Sequence, residues 1–375
     1  MAFNGKTMVN RSILFLIFSI VFISSSTVMA DGGKFIVYDQ RGHAISLHQP
    51  VNRIITIPVP MAAVVIAIDG STKRLIGMHP SSRESISEGF LRRVYPEALA
   101  IRTDVIRGGV FTPNIESILE MHPDLIVQWT QPENLITTLE SAGLVVAGLV
   151  NSPPTQDVNE HNLTIVGQLL GRDERIKILL EKNHLIFDRV RIISTSIPIN
   201  KKPKALYIRS FRESMRVVGK NTYQDYWITL AGAINVAHDV FTGTENSVNV
   251  EQIISWNPDV IFIGTFDDAV PDNFLNSPAL ASVSAIKNRK VYKLPHGGYR
   301  WDPGSHESRL TWQWAAMIIH PERFEFDLRA EMKEDYKFFY NYSLSDAEID
   351  EILQCKLNGH MANYNLFQKK RESLN

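Results

Sequence analysis

Short apolar blocks separated by polar turns set the rhythm of this chain. Lys34-Phe35-Ile36-Val37-Tyr38 alternates with period two, Asp39-Gln40-Arg41-Gly42 turns it, and His43-Ala44-Ile45-Ser46-Leu47 returns, which predicts a hairpin. Arg53 to Ile57, Leu75 to Met78, Leu125 to Trp129 and Leu144 to Ala147 read as buried strands. Met61 to Ile68 predicts a helix closed by Asp69-Gly70, and His79 to Ser87 reads as a polar loop. Strands alternating with helices predict an α/β lobe with a mainly parallel sheet. A second series of the same kind starts at Ala205 to Ile208 and continues at Val260 to Ile263 and Val291 to Leu294.

Between the two series the period changes to that of a helix. From Asp173 to Ser194, apolar residues fall at Ile176, Leu179, Leu180, Leu185, Ile186, Val190 and Ile193, with Gly171 before and Pro198 after. A continuous helix of that size is roughly 30 Å long, enough to bridge two lobes. No Gly/Ser-rich stretch interrupts the chain, so the expected connection is a stiff rod. Beyond Arg309 the pattern is helical and aromatic. Trp312, Trp314, Phe324, Phe326, Tyr336, Phe338, Phe339, Tyr340 and Tyr342 predict packing against the second lobe.

One pattern occurs twice. Asn114-x-Glu116 followed by Pro123-Asp124-Leu125-Ile126 returns, with the same offsets, as Asn249-x-Glu251 followed by Pro258-Asp259-Val260-Ile261. Each copy describes an acidic helix start, a short amphipathic helix, a Pro-Asp turn and a buried strand. The expected architecture is two Rossmann-like α/β lobes with mainly parallel sheets joined by one long α-helix, an arrangement that suits a clamp. Its expected parts are an N-terminal lobe over 31–165, a linker helix over 166–199, a C-terminal lobe over 200–323 and a helical extension over 324–375.

Composition adds a compartment. Lys6 and Arg11 precede the apolar run Ile13 to Ile23, and Val28-Met29-Ala30 supplies small residues at a cleavage position, so residues 1–30 read as a secretory signal peptide. The run is about half of the roughly 20 apolar residues that a membrane span needs. Removing it deletes two cations and no acids, which takes the formal charge from −1 to −3. That charge gives no reason to expect nucleic acid or an anionic membrane as partner. The single Cys355 excludes an intramolecular disulfide, a Cys-rich metal site and a lipid anchor after the apolar run. The expected location is the periplasm, as a free monomer.

Enzyme signatures are poor. Gly219-Lys220-Asn221 lacks the upstream Gly and the hydroxyl of a phosphate loop, and His306-Glu307-Ser308-Arg309-Leu310 is not a zinc-binding His-Glu-x-x-His helix. Gly304-Ser305-His306 fails the spacing of a nucleophile elbow.

The chain resembles the periplasmic substrate-binding proteins of ABC importers for iron-siderophore complexes, cobalamin and haem. The matching residues are Asp39-x-x-Gly42 with Pro50 and Arg53-Ile54-Ile55, both copies of the repeat, and Gly219-Lys220 followed by Ala231-Gly232-Ala233-Ile234-Asn235-Val236-Ala237. The segment after Phe324 is longer than in compact members of that family. The resemblance implies a non-catalytic receptor with no cofactor of its own. It captures a metal chelate between the lobes and delivers it to an inner-membrane permease and its ATPase. It also implies that Glu116 and Glu251 dock to permease arginines; helix N-terminal acids favoured by the helix dipole are the plainer account.

In open α/β sheets the ligand cleft lies beyond the carboxyl ends of the strands. Residues just past each strand therefore supply the candidates: Met61, His79, Arg83, Phe111 and Trp129 from the first lobe, and Arg209, Arg212 and Phe266 from the second. The densest cluster, residues 296–307, adds His296, Tyr299, Arg300, Trp301, His306 and Glu307. Arginines and aromatic rings suit a large anionic chelate. His296, His306 and Glu307 are also candidate metal ligands, or simply core and helix-capping residues. The expected cargo is a ferric siderophore. Alternatives are nickel or cobalt complexes, molybdate or tungstate, and a metal-dependent enzyme on the same scaffold.

Overall fold

The computed structural model describes residues 28–30, 34–211 and 214–368. Most of the expected signal segment, and Arg212, lie outside the described residues. Strand β1 (Val28–Ala30) pairs antiparallel with β2 (Lys34–Tyr38), which forms the expected hairpin with β3 (Ala44–Leu47).

The first lobe continues with β4 (Ile54–Thr56), α1 (Met61–Asp69), β5 (Leu75–Met78), α2 (Pro80–Glu88), α3 (Leu91–Val94), α4 (Ile115–Glu120), β6 (Leu125–Trp129), α5 (Asn134–Ser141), β7 (Val146–Leu149) and α6 (Gln156–Leu169). Its four-stranded sheet, in the order β5-β4-β6-β7, is wholly parallel. Where a polar loop was expected there is α2. His79 caps it, its Nδ1 accepting the Ser81 N–H at 3.0 Å, and Pro80 occupies the first turn, where its missing N–H costs nothing.

The rod is α7 (Asp173–Thr195), which begins with two acids that suit the positive end of its dipole. Its buried face, with Ile176, Leu179, Ile186 and Val190, packs on α6 of the first lobe and on helices of the second.

The second lobe contains β8 (Lys204–Ser210), β9 (Met215–Val217), α8 (Tyr223–Leu230), β10 (Ile234–Asn235), β11 (Asn246–Val248), α9 (Val250–Trp256), β12 (Val260–Ile263), α10 (Pro271–Leu275), α11 (Ser284–Lys287), β13 (Val291–Lys293) and α12 (Ser308–Ile319). Strands β10, β8, β12 and β13 pair in parallel, while β9 and β11 add an antiparallel edge.

Both copies of the repeat fold alike. The Asp124 carboxylate accepts the N–H groups of Asn52 and Arg53, both at 2.9 Å, and the Asp259 carboxylate accepts that of Lys204 at 2.9 Å. In each lobe the aspartate thus fixes the start of the neighbouring parallel strand. The copies differ at the cap: Asn249 accepts the Gln252 N–H at 2.8 Å, whereas Asn114 donates to Asp104 O and Ser117 Oγ.

The extension, α13 (Leu328–Tyr340), α14 (Asp346–Ile352) and α15 (Cys355–Asn358), was expected against the second lobe. It touches both: α13 lies against α12 and also against α1 of the first lobe. Arg175 of α7 joins the three parts by donating to Ala67 O at 3.0 Å, to Phe339 O at 2.9 Å and to Phe338 O. Phe90 of the first lobe meets Tyr336 and Tyr342 edge-on, and Arg93 pairs with Glu351.

Candidate functional site

A groove of about 840 Å³ opens where the strands of the two lobes end. Val59 and Pro60 follow β4, His79 follows β5, Trp129 ends β6 and Asn151 follows β7. Opposite them, Arg209 and Ser210 end β8, Thr265 and Phe266 follow β12, and Tyr299 and Arg300 come after β13. The walls are therefore a product of strand direction.

On the first lobe, His79 has both ring nitrogens engaged. Because Nδ1 accepts from Ser81, Nε2 carries the hydrogen and donates to Val110 O at 2.6 Å. Burial lowers the pKa of this ring, which keeps it neutral. It tilts against Phe111, with centroids 5.5 Å apart. Gln128 secures this wall by donating to Phe111 O and accepting the Trp129 N–H.

On the second lobe, Phe266 is 39% exposed and carries two guanidinium groups near its ring, Arg209 at 4.6 Å and Arg300 at 4.8 Å from the centroid. Asp302, wholly buried, accepts the Tyr207 hydroxyl at 2.6 Å and both the N–H and the hydroxyl of Thr265 at 3.0 and 2.7 Å. It thereby fixes the turn that presents Phe266. Asp267 holds the far side of that turn by accepting from Ser210, Phe211 N–H and Ala269 N–H. Each groove arginine has a carboxylate partner. Arg300 meets Glu88 at 2.7 Å across the lobes, and Arg209 and Arg216 share Glu245 at 2.9 and 2.6 Å.

Of the residues singled out in the sequence, His79, Phe111, Trp129, Arg209, Phe266, Tyr299 and Arg300 line the groove together. Others do not. Met61 is buried in the core of the first lobe, and Arg83 is exposed on α2 away from the groove. His296 does not line the groove; it lines a second, neighbouring pocket of about 290 Å³ that shares Glu88, Thr265, Asp267 and Asp268 with it. Trp301, His306 and Glu307 are wholly buried beneath the extension, which corrects the expectation that they face a ligand or a metal.

Most of their polar atoms are bonded internally, though His306 Nδ1 has no partner among the described residues. Glu307 accepts the Trp301 indole N–H at 2.9 Å and the Gly298 N–H at 3.1 Å, and that N–H also reaches the Tyr336 hydroxyl oxygen at 2.8 Å. His306 Nε2 lies 2.7 Å from the Tyr340 hydroxyl. Burial pushes the Glu307 carboxyl up to about 7 and both His296 and His306 down to about 3. Among the described residues, no group of three or more His, Cys, Asp or Glu is placed to hold a metal ion.

Sequence reasoning missed the groove acids Glu84, Glu88, Asp267 and Asp268, as well as Asn151, Arg216 and Thr265. Asn151 and Thr265 follow strands, so the strand-end rule reaches them. Glu84 fell in the segment read as a loop, and Glu88 just beyond its end. The Pro80 start and their four-residue spacing were the available signal.

Glu116 and Glu251 are exposed in the first turns of α4 and α9. Each helix leads into a parallel strand through a short turn and runs back along the sheet. Its first turn therefore lies at the strand-end side, the side on which the groove opens.

A family model described as periplasmic binding protein matches residues 65–296. A periplasmic solute-binding protein from Veillonella parvula superposes with a TM-score of 0.78 at 28% identity, covering 87% of this chain and 98% of its own. The molybdate-binding protein MolA of Haemophilus influenzae is 23% identical over 82% of this chain and 91% of its own. An iron-uptake system-binding protein of Bacillus subtilis is 25% identical over 66% of this chain and 80% of its own.

Proposed function

Because the chain belongs to the periplasmic binding protein family, we propose that it is the receptor of an ABC importer for a metal chelate, with a ferric siderophore as the foremost cargo. The observation that carries this reading is the exposed Phe266 ring between Arg209 and Arg300 in a groove of about 840 Å³. That volume lies within the range of about 300–1,000 Å³ that holds organic ligands, and a bare tetrahedral oxyanion fills only a small part of it. Ring faces and guanidinium groups together complement the aromatic and anionic parts of a chelate. The iron-uptake relative supports the same class.

The reading assigns the metal to the chelate. His79 has both nitrogens occupied, and His306 and Glu307 are sealed off, so the metal arrives already ligated. Glu116 and Glu251, one per lobe and both exposed, are then the docking acids that face permease cations. The extension ties the lobes together, so loading proceeds with small lobe motions.

A second reading, an oxyanion receptor, rests on the Haemophilus influenzae relative. Titration separates the two. The protein would be followed by Trp129 fluorescence and by thermal melting against a ferric tris-catecholate, a ferric tris-hydroxamate, haem, nickel–histidine and molybdate. A ligand at 100 times its Kd stabilises the fold by about 2.7 kcal/mol, a rise of several degrees in Tm. The chelate reading expects that rise with a ferric chelate; a rise with molybdate alone would overturn it.

A further inference from the structure

The groove arginines arrive already paired with carboxylates, and the manner of it is specific. Arg300 has its side chain 7% exposed, donates through Nη1 to Thr265 O at 3.1 Å and through Nη2 to Glu88 at 2.7 Å. Its partner Glu88 is 49% exposed and sits on α2, in the opposite lobe. Arg209 and Arg216 meet the two oxygens of Glu245, which is 53% exposed beside β11. In both sets the carboxylate is the more exposed partner. The two cations that meet Phe266, Arg209 and Arg300, are held by other groups: the aromatic ring for both, and the Thr265 carbonyl for Arg300.

We propose that Glu88 and Glu245 are internal counter-ions that occupy the groove arginines in the empty receptor and yield them to the anionic groups of the ligand. The inference rests on the chelate reading above and adds its specificity determinant. A partly exposed carboxylate returns to water at little cost, whereas Arg300, its side chain 7% exposed, is penalised when left without an anion, and Arg209, 26% exposed, less so. The exchange therefore leaves the arginines paired in both states and moves only the acids. It also sets a threshold. A ligand must offer more to each guanidinium than the resident carboxylate does, and it approaches against the charge that carboxylate leaves nearby. Neutral and weakly anionic solutes fail that comparison, while a multiply charged chelate passes it. Glu88 carries a second consequence, because its pair spans the lobes: release of Arg300 removes one of the contacts between α2 and the second lobe.

The test uses the full chain and two isosteric variants, Glu88→Gln and Glu245→Gln. Each keeps an amide oxygen to orient its arginine and removes the competing charge. Binding of a trianionic ferric tris-catecholate, a neutral ferric tris-hydroxamate and dianionic molybdate is measured by calorimetry at two salt concentrations. Each variant is expected to bind the tris-catecholate roughly five- to tenfold tighter than the wild type, about 1–1.4 kcal/mol, with the gain shrinking at high salt. The neutral tris-hydroxamate, which displaces neither carboxylate, is expected to bind the wild type more weakly than the tris-catecholate and to change less than twofold in the variants. Anionic binding that is unchanged or weaker in both variants overturns the counter-ion role while leaving the chelate reading intact. If the wild type takes molybdate and neither chelate, the chelate reading falls and the same comparison is made on molybdate. A wild type that binds none of the three overturns both.

Discussion

The backbone N–H of Phe90 donates to the carbonyl of Gly297 at 2.8 Å, a main-chain bond between the two lobes. The residue before it, Gly89, permits that approach. A Cβ there would meet His296 Nε2 at 2.7 Å and Gly297 O at 2.9 Å. Gly89→Ala is therefore expected to lower stability by about 1–3 kcal/mol through overpacking, read as a reduced urea midpoint.

Arg309 and Asp335 form a wholly buried pair between α12 and α13. Asp335→Asn leaves the guanidinium buried without its anion, and the expected loss is about 3–5 kcal/mol. Replacing both residues with apolar side chains of similar volume is expected to recover much of it. Denaturant unfolding of the single and double variants checks both statements.

Acid stability depends on His296 and His306. His296 and His306 fall from 6.5 to about 3 on folding, because burial disfavours the charged ring. The unfolded chain then binds protons that the fold refuses, so their contribution is full above about 6.5 and is lost as pH falls toward 3. Glu307 acts in the opposite sense. Its carboxyl rises from 4.5 to about 7, so its contribution declines as pH rises through that window. Urea midpoints from pH 3.5 to 8 are expected to show a flatter acid limb in His306→Gln and a flatter decline between 4.5 and 7 in Glu307→Gln.

Phe266→Ala removes the exposed ring between Arg209 and Arg300 without opening a core cavity. Ligand affinity is expected to drop on the order of tenfold, consistent with stacking and cation–π contributions of about 1 kcal/mol. The melting temperature of the free protein should move by less than about 2 °C. Calorimetry and melting of the same sample give both values.

Glu116→Lys with Glu251→Lys reverses both proposed docking charges. Ligand affinity is expected to stay within twofold, while transport and ligand-stimulated ATP hydrolysis by the reconstituted importer fall by at least tenfold. Unchanged transport would remove these residues from the docking surface.

Much of the fold was legible because its signals are local. The unbroken apolar runs at Leu125 to Trp129 and Val260 to Ile263 became β6 and β12, and the 3.6-residue period after Asp173 became α7. The strand-end rule brought seven candidates to the groove, from His79 to Arg300. The periodicity reading failed at α2, where Pro80 and His79 act as a helix start although the segment is polar.

Residues 296–307 show the boundary most clearly. By composition, a run with two histidines, an arginine, two aromatic rings and two acids resembles a site, and Tyr299 and Arg300 do face the groove. Whether Trp301, His306 and Glu307 face a ligand was settled by Tyr336 and Tyr340, which α13 lays over them.

The order of residues alone determined the doubled α/β plan, the rod between its halves and the strand ends from which contacts can project, since these arise from short-range periodicity and chain direction. The tertiary structure decided which side chains are exposed to solvent and which arginines already hold a carboxylate. Those outcomes depend on segments distant in sequence meeting in space, and no local pattern encodes such a meeting.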